Sequence, residues 1–503
     1  MSERLSAEHE QLGEIAAGII SRYARTLEEA RVCSTATPGD LEKMFDEPLP
    51  RAGIDSLQLF ARFEREIAPH AMNISSPRYY GQFNPTPLPV AVWADALCSA
   101  INQNGAIWRN SPTASVIEAR VIRWLCEIIG YGAESFGTLA SGGSEANLIA
   151  LKCARDRASE FVRDKGLRAA SWPPARTNGD ASTQTATQGN MIVYASEQCH
   201  YSFVKSVDIL GLGRENLRKV ATDERFHIRL DELRRAIEQD LEAGHLPICI
   251  AGAAGTTSTG VIDPLDQLAD IAREYKIWFH VDAAYGGALR MSEKYRDRLR
   301  GIERADSVTL DPHKWMFVPF AAGALLVREG GHVLRDAFDI TPEYLSEERG
   351  GQDVPFDFFR YGQLGTRRFN ALKIWFALKT LGTDGYAEII ERQIELTRYL
   401  AARIAELVDF ECVGEVETAV CCVRFVPAEM RAAEVAEVNG VQQELQQRIE
   451  RSGEAWLATT VLHGRRVLRV NVNSFLTERR HIDDLVELLR SESTQLWKAR
   501  RAI

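Results

Sequence analysis

The chain has 503 residues, 45% of them hydrophobic and 26% charged, with a net charge of −10 at pH 7. That length exceeds what one hydrophobic core usually serves, so two or three domains are expected. The acidic balance argues against a nucleic-acid partner or an anionic membrane surface. Nine cysteines lie scattered without a CxxC pair, which suggests neither a metal site nor a disulfide framework. The opening MSERLSAEHEQLGEI is charged and lacks an apolar h-region, and no apolar span is long enough to cross a bilayer. A reduced, cytoplasmic protein is the expectation.

Residues 1–90 read as a helical segment. Leu12, Ile15, Ala16, Ile19 and Ile20 recur at helical spacing, and Leu57, Leu59, Phe60 and Phe63 form a second apolar group. So short a segment needs the main body or another subunit to pack on. The stretch 76–90 (SPRYYGQFNPTPLPV) has the prolines and aromatics of a loop, and such loops often line pockets. The polar triplet Asn102-Gln103-Asn104 sits between apolar helices, either as a solvated loop or as a substrate contact.

From 136 to about 330 strand and helix patterns alternate. Strands are expected at 191–194, 248–251, 277–281, 307–310 and 324–327, with helices at 230–243 and 265–275 between them. This is the pattern of an α/β domain with a mostly parallel sheet, placed at 91–365. Residues 170–190 read as a polar surface insertion. Helices at 369–381 and 386–408, strands at 418–425 and 467–472 and a helix at 482–489 then predict a small α+β domain over 366–503.

Five features fall at expected strand ends or helix starts. Gly142, Gly143 and Ser144 open a helix, where amides and hydroxyls can hold a phosphate. His200 lies beyond the strand 191–194, and Gly255-Thr256-Thr257 beyond 248–251, where α/β proteins place ligands. Asp282 ends the run WFHV; a carboxylate there is costly unless paired, and a protonated pyridine nitrogen would pair it. Ala283 and Ala284 leave room for a flat ring. Lys314, after the turn Asp311-Pro312-His313, has an amine that can condense with a carbonyl. Each feature alone is more often structural. Their coincidence in one domain suggests a pyridine cofactor with an aldehyde at one edge.

The pieces SGGSEANLIAL, the His200 segment, AGAAGTTSTGVID, HVDAAYGG and DPHKW resemble the group II pyridoxal-phosphate-dependent amino-acid decarboxylases, from about Pro77 to the C-terminus. That family includes the aromatic-L-amino-acid, glutamate, cysteine-sulfinate and diaminobutyrate decarboxylases. The resemblance implies fold type I, with a large domain around a seven-stranded sheet, pyridoxal 5'-phosphate as cofactor and a homodimer. It implies that Lys314 holds the cofactor as an internal aldimine, that Asp282 pairs with the ring nitrogen, and that His200 and Ala284 lie on opposite ring faces. Gly143, Ser144, Thr257 and the turn holding Asp311 and His313 would bind the phosphate. Asp311 fits that role less well, since a carboxylate beside a phosphate is unfavourable.

The resemblance also implies decarboxylation of an L-amino acid to its amine and CO₂, through a quinonoid protonated by a lid tyrosine. The segment 337–351 (AFDITPEYLSEERGG) has the polar, Gly-terminated character of a lid, and Tyr344 stands in the matching context. Relatives with phenylalanine there tend to form aldehydes, so Tyr344 favours simple decarboxylation. Oxidative decarboxylation, transamination and a non-catalytic paralogue are the competing readings. The substrate pocket is expected to draw on Tyr80, Phe83, Thr86, Asn104 and Ala106. The sequence does not name the amino acid.

Overall fold

The computed structural model describes residues 2–159, 161–167, 189–340 and 356–501. The expected insertion at 170–190, apart from its last two residues, and the expected lid from 341 onward, with Tyr344, lie outside the described residues. The strands in chain order are β1 (Tyr79–Tyr80), β2 (Phe136–Ala140), β3 (Met191–Ser196), β4 (Leu217–Val220), β5 (Leu246–Ala253), β6 (Trp278–Asp282), β7 (Ser307–Leu310), β8 (Gly323–Val327), β9 (Phe410–Cys412), β10 (Val420–Phe425), β11 (Trp456–Leu462) and β12 (Arg465–Asn471).

The chain divides into two compact units. One comprises residues 87–394 together with 414–420, and the other comprises 1–86, 395–413 and 421–503. The first is built on a seven-stranded sheet in the order β2-β8-β7-β6-β5-β3-β4. Neighbours from β4 to β7 pair in parallel, while β8 pairs antiparallel with both β7 and β2. β2 therefore runs in the same direction as β7. The middle strands are buried along most of their length, which is why they read as near-continuous apolar runs. This is the α/β architecture of fold type I.

The second unit contains a five-stranded sheet, β1-β11-β12-β10-β9, whose strand β10 begins at the division between the units. Its edge strand β1 pairs in parallel with β11, through Tyr79 opposite Trp456. The two rings stack at 5.2 Å. The N-terminal segment thus shares a unit with the C-terminal sheet. The expected helices at 369–381 and 386–408 occupy Ala371–Ala405 and are separated by a kink at Gly382, whose φ of 61° is left-handed.

Within the large unit Arg367 and Glu118 form an ion pair with both side chains almost wholly buried. Arg367 also donates to Thr138 Oγ1 at 3.2 Å and lies over the Phe358 ring. Burial pushes the Glu118 carboxyl up even against the neighbouring guanidinium. Glu118→Ala, which strands the guanidinium in the core, is expected to cost about 3–5 kcal/mol in denaturant unfolding. Glu118→Leu combined with Arg367→Met should recover most of that loss; a double variant no more stable than the single one would show that the pair is not the cause.

Candidate active site

Parallel pairing brings the carboxyl ends of β3, β5, β6 and β7 to one edge of the sheet. The register sets Asp282 opposite Ala253 on one side and Thr309 on the other. Because β2 runs with them, the helix Gly143–Ala158 that follows it starts at the same edge. The first turn is held by Glu145, whose carboxylate accepts from Ser141 N–H at 2.7 Å. A Cβ at Gly143 would stand 3.0 Å from Asp311 Oδ2 and 3.2 Å from Ala284 Cβ. Glycine there lets the helix start close against the turn after β7.

Asp282 is half-buried and both its oxygens accept hydrogen bonds, Oδ1 from Ala284 N–H at 3.1 Å and Oδ2 from Asn147 Nδ2 at 2.9 Å. Lys314 Nζ lies 3.0 Å from Asp311 Oδ2, and the Asp311 carboxylate is 2% exposed. The residues flanking Lys314 are anchored. His313 Nδ1 accepts from Ala322 N–H at 3.1 Å, and Trp315 stacks on Tyr285 at 4.5 Å and donates to Gln393 Oε1. His313 is held below the usual histidine range by burial.

His200 is half-buried, with Nδ1 2.8 Å from Ser202 Oγ. Burial lowers its pKa, and the charges of Asp282, Lys314 and Asp311 all act on the imidazole. Ala284 is buried and its carbonyl accepts from Asp311 N–H. Ser144 and Thr257 present exposed side chains. Gly255, with φ of 93°, packs against the Tyr285 ring. At the foot of this loop the Asp263 carboxylate accepts from Ala253 and Ile228 N–H. Glu417 accepts from Ile262 N–H and meets His227 Nε2 at 2.8 Å.

The sequence of residues 38–426 matches the pyridoxal-dependent decarboxylase conserved domain. The chain belongs to that family. It is 31% identical to an aromatic-L-amino-acid decarboxylase of Bacillus atrophaeus over 93% of each chain. It is 32% identical to the acidic amino acid decarboxylase GADL1 of Xenopus tropicalis over 80% of this chain and 75% of that one. The crystal structure of mouse CSAD superposes with a TM-score of 0.88 at 27% identity, over 97% and 99% of the two chains. The protein is a carboxy-lyase and its cofactor is pyridoxal 5'-phosphate. The residues present fit that group. They supply an amine, a carboxylate whose two oxygens are oriented by donors, and a helix start packed closely at Gly143. Asp311 Oδ1, in addition, is buried without a hydrogen-bond partner.

Seven of the expected site residues thus gather around one strand edge: Gly143, His200, Asp282, Ala284, Asp311, His313 and Lys314. The five expected pocket residues divide between the units. In the small unit Tyr80 is fully buried and donates to the His481 carbonyl at 2.9 Å. Thr86 Oγ1 donates to the Ser75 carbonyl and meets Ser474 Oγ at 2.7 Å. Phe83 is buried under the Arg469 guanidinium. In the large unit Asn104 Oδ1 accepts from Ala106 and Arg367 N–H, and Ala106 is fully buried. Sequence reasoning passed over Asn147, Ser202 and His280. Asn147 lies inside SGGSEAN and His280 opens HVDAAYGG, so each was in view without a visible partner.

The loop foot offers a pH test. The hydrogen bond to Glu417 raises His227 above the usual 6.5. Its contribution to stability is therefore complete below the unfolded value and is lost as pH rises through the higher folded value. His227→Gln should lower the unfolding midpoint more at pH 6 than at pH 9. An equal loss at both would remove the charged pair from consideration.

Proposed function

We propose that the protein decarboxylates an L-amino acid to the corresponding amine and CO₂. The observation that carries this reading is the meeting of Lys314, Asp282 and a neutral, half-buried His200 at one strand edge. Lys314 would hold the cofactor's aldehyde, Asp282 its ring nitrogen, and Gly143, Ser144, Thr257 and the 311–313 turn its phosphate. When bound, the cofactor supplies an electron sink for the pair left as the bond from Cα to the carboxylate breaks.

The chain's own groups set the rest. Both oxygens of Asp282 accept hydrogen bonds, and a carboxylate held in that way would pair with a protonated ring nitrogen. His200 would stand against one face of the ring and offer an N–H to the substrate carboxylate, and Ala284 would leave room at the other face. Asp311 is better placed to hold the Lys314 ammonium than to meet a phosphate, since its Oδ2 is 3.0 Å from Nζ. Tyr344 is proposed to give its phenolic proton to Cα, a role that rests on its sequence context.

Lys314→Ala is expected to abolish CO₂ release and to erase the absorption band of the covalently held cofactor. An unchanged spectrum would overturn the reading. Purified enzyme offered the twenty amino acids together with diaminobutyrate, ornithine, DOPA and cysteine sulfinate should give CO₂ and an amine in equal amounts from at least one of them. Aldehyde with ammonia and peroxide in place of the amine would sink it. Tyr344→Phe should cut amine formation at least tenfold and divert product to aldehyde; full amine formation would dismiss Tyr344 as the proton donor.

The working form is proposed to be a cytoplasmic homodimer. All nine cysteines are free thiols, as a reducing compartment requires. Leu57, Leu59, Phe63 and Ile67 on the N-terminal helices are each 40–50% exposed, an apolar face that a second copy would cover. Among the described residues no helix is long and apolar enough to cross a membrane. Sedimentation equilibrium should give twice the chain mass.

A further inference from the structure

Two fully buried polar side chains, Asn147 and His280, hold neither cofactor nor substrate in the scheme above. Yet every polar atom they own is hydrogen-bonded, and the bonds lead to both Asp282 and His200. The direction of each bond follows from which groups can only give or only take a proton.

Asp282 fixes the amide of Asn147. An ionised carboxylate only accepts, so the group 2.9 Å from Asp282 Oδ2 is the Asn147 NH₂. Its second hydrogen goes to Ser202 Oγ at 3.0 Å. Asn147 Oδ1 then faces the other way and accepts, from Thr309 Oγ1 at 2.7 Å and from His280 Nε2 at 3.0 Å. His280 must therefore carry its proton on Nε2, leaving Nδ1 as an acceptor for Ser307 Oγ at 2.8 Å. Ser307 Oγ can give that proton because it receives one from Trp278 Nε1 at 2.9 Å, a group that only donates. Burial pushes His280 down to about 4, so it is neutral at pH 7 and has a single N–H to give.

At the other end Ser202 Oγ, already accepting from Asn147, turns its own hydrogen to His200 Nδ1 at 2.8 Å. The Ser202 N–H also points at Nδ1, at 3.3 Å. The proton of neutral His200 is thereby left on Nε2.

We propose that Asn147 is a positioning residue at the centre of a one-way hydrogen-bond relay, Trp278 to Ser307 to His280 to Asn147 to Ser202 to His200, that fixes the proton of His200 on Nε2 and holds Asp282 as an acceptor. The inference rests on the assignment of Asp282 and His200 to the cofactor site. It goes further in tying the two together. The group that orients the carboxylate for the ring nitrogen is the group that sets which imidazole nitrogen can donate to the substrate.

Asn147→Asp tests this with little change of volume. The new side chain has no hydrogen to give to Ser202. Ser202 must then donate to it, and so must accept from His200 Nδ1–H. The relay runs backwards and Ser202 Oγ, at 2.8 Å, draws the His200 proton towards Nδ1 against the longer backbone N–H contact at 3.3 Å. The apoenzyme labelled with ¹⁵N-histidine reports this directly in a long-range ¹H–¹⁵N spectrum, with the His200 signals assigned by their loss in His200→Gln.

Wild type should show the Nε2–H form and Asn147→Asp a clear gain of the Nδ1–H form. Ser202→Ala removes the hydroxyl but keeps the backbone N–H that points at Nδ1, and should stay in the Nε2–H form. His280→Gln keeps a donor facing Asn147 and should resemble wild type. In the holoenzyme Asn147→Asp should also weaken cofactor binding at least tenfold, because two adjacent carboxylates cannot both stay ionised. His280→Gln should change it less than twofold.

An Nε2–H signal unaltered in Asn147→Asp overturns the relay. If Asn147→Asp fails to fold, judged by circular dichroism, the wild-type spectrum decides: an Nδ1–H form of His280, its signals assigned by their loss in His280→Gln, overturns the relay. Asp282→Ala separates the two levels. Unchanged cofactor affinity there would remove the underlying assignment. Lost affinity with an unmoved His200 proton in Asn147→Asp would remove the relay and leave the assignment standing.

Discussion

A half-buried carboxylate at the end of an apolar strand is the constraint on which this site depends. Asp282 follows residues that are almost fully shielded from water, and an ionised group there needs donors of fixed position. Ala284 N–H supplies one because the chain turns immediately after the strand. Asn147 supplies the other, and it can do so only if the helix Gly143–Ala158 starts close to the strand edge. Gly143 permits that approach, and Gly323 on β8 lies so near Gly142 that a Cβ there would stand 2.5 Å from its Cα. One electrostatic requirement thus propagates into the choice of glycine on two separate elements.

Sheet direction does the remaining positioning. Parallel strands collect their carboxyl ends on one edge, and the single antiparallel insertion of β8 returns β2 to the common direction. The helix after β2 therefore begins beside the turns after β6 and β7, where Asp282 and Lys314 lie. Lys314 is kept in place by its neighbours: the ring of His313 is tied to Ala322 N–H and Trp315 is clamped between Tyr285 and Gln393. The His-Lys-Trp sequence reads physically as one reactive residue between two anchors.

Much of this was legible from the sequence because buried parallel strands announce themselves as apolar runs. Strands β3, β5, β6, β7 and β8 were located in this way, and the residues just past them gave Asp282, Lys314 and His200. Shorter or half-buried strands gave no such signal. β4 is only Leu217–Val220, with its two inner residues less buried than its ends, and β11 is buried at only two of seven positions. The pairing of β1 with β11 joins residues far apart in sequence, and no local period encodes it. Asn147 shows the limit within the site itself. An asparagine one turn into a helix looks like a solvated polar residue until His280, Thr309, Ser202 and Asp282 are brought around it.

The division into units bears on how the protein is made. Residues 79–80 leave the ribosome long before 456–457, the strand they pair with, and residues 414–420 complete a unit whose other members end at 394. The large unit therefore waits for Glu417 and Thr418, which bind His227 and the Gly260 carbonyl, and the small unit waits for nearly the whole chain. Neither unit can be finished while synthesis is under way except in its last stretch. A polypeptide so threaded spends most of its translation with partly formed surfaces, and its yield in a cell becomes a matter of elongation speed and chaperone supply as much as of final stability.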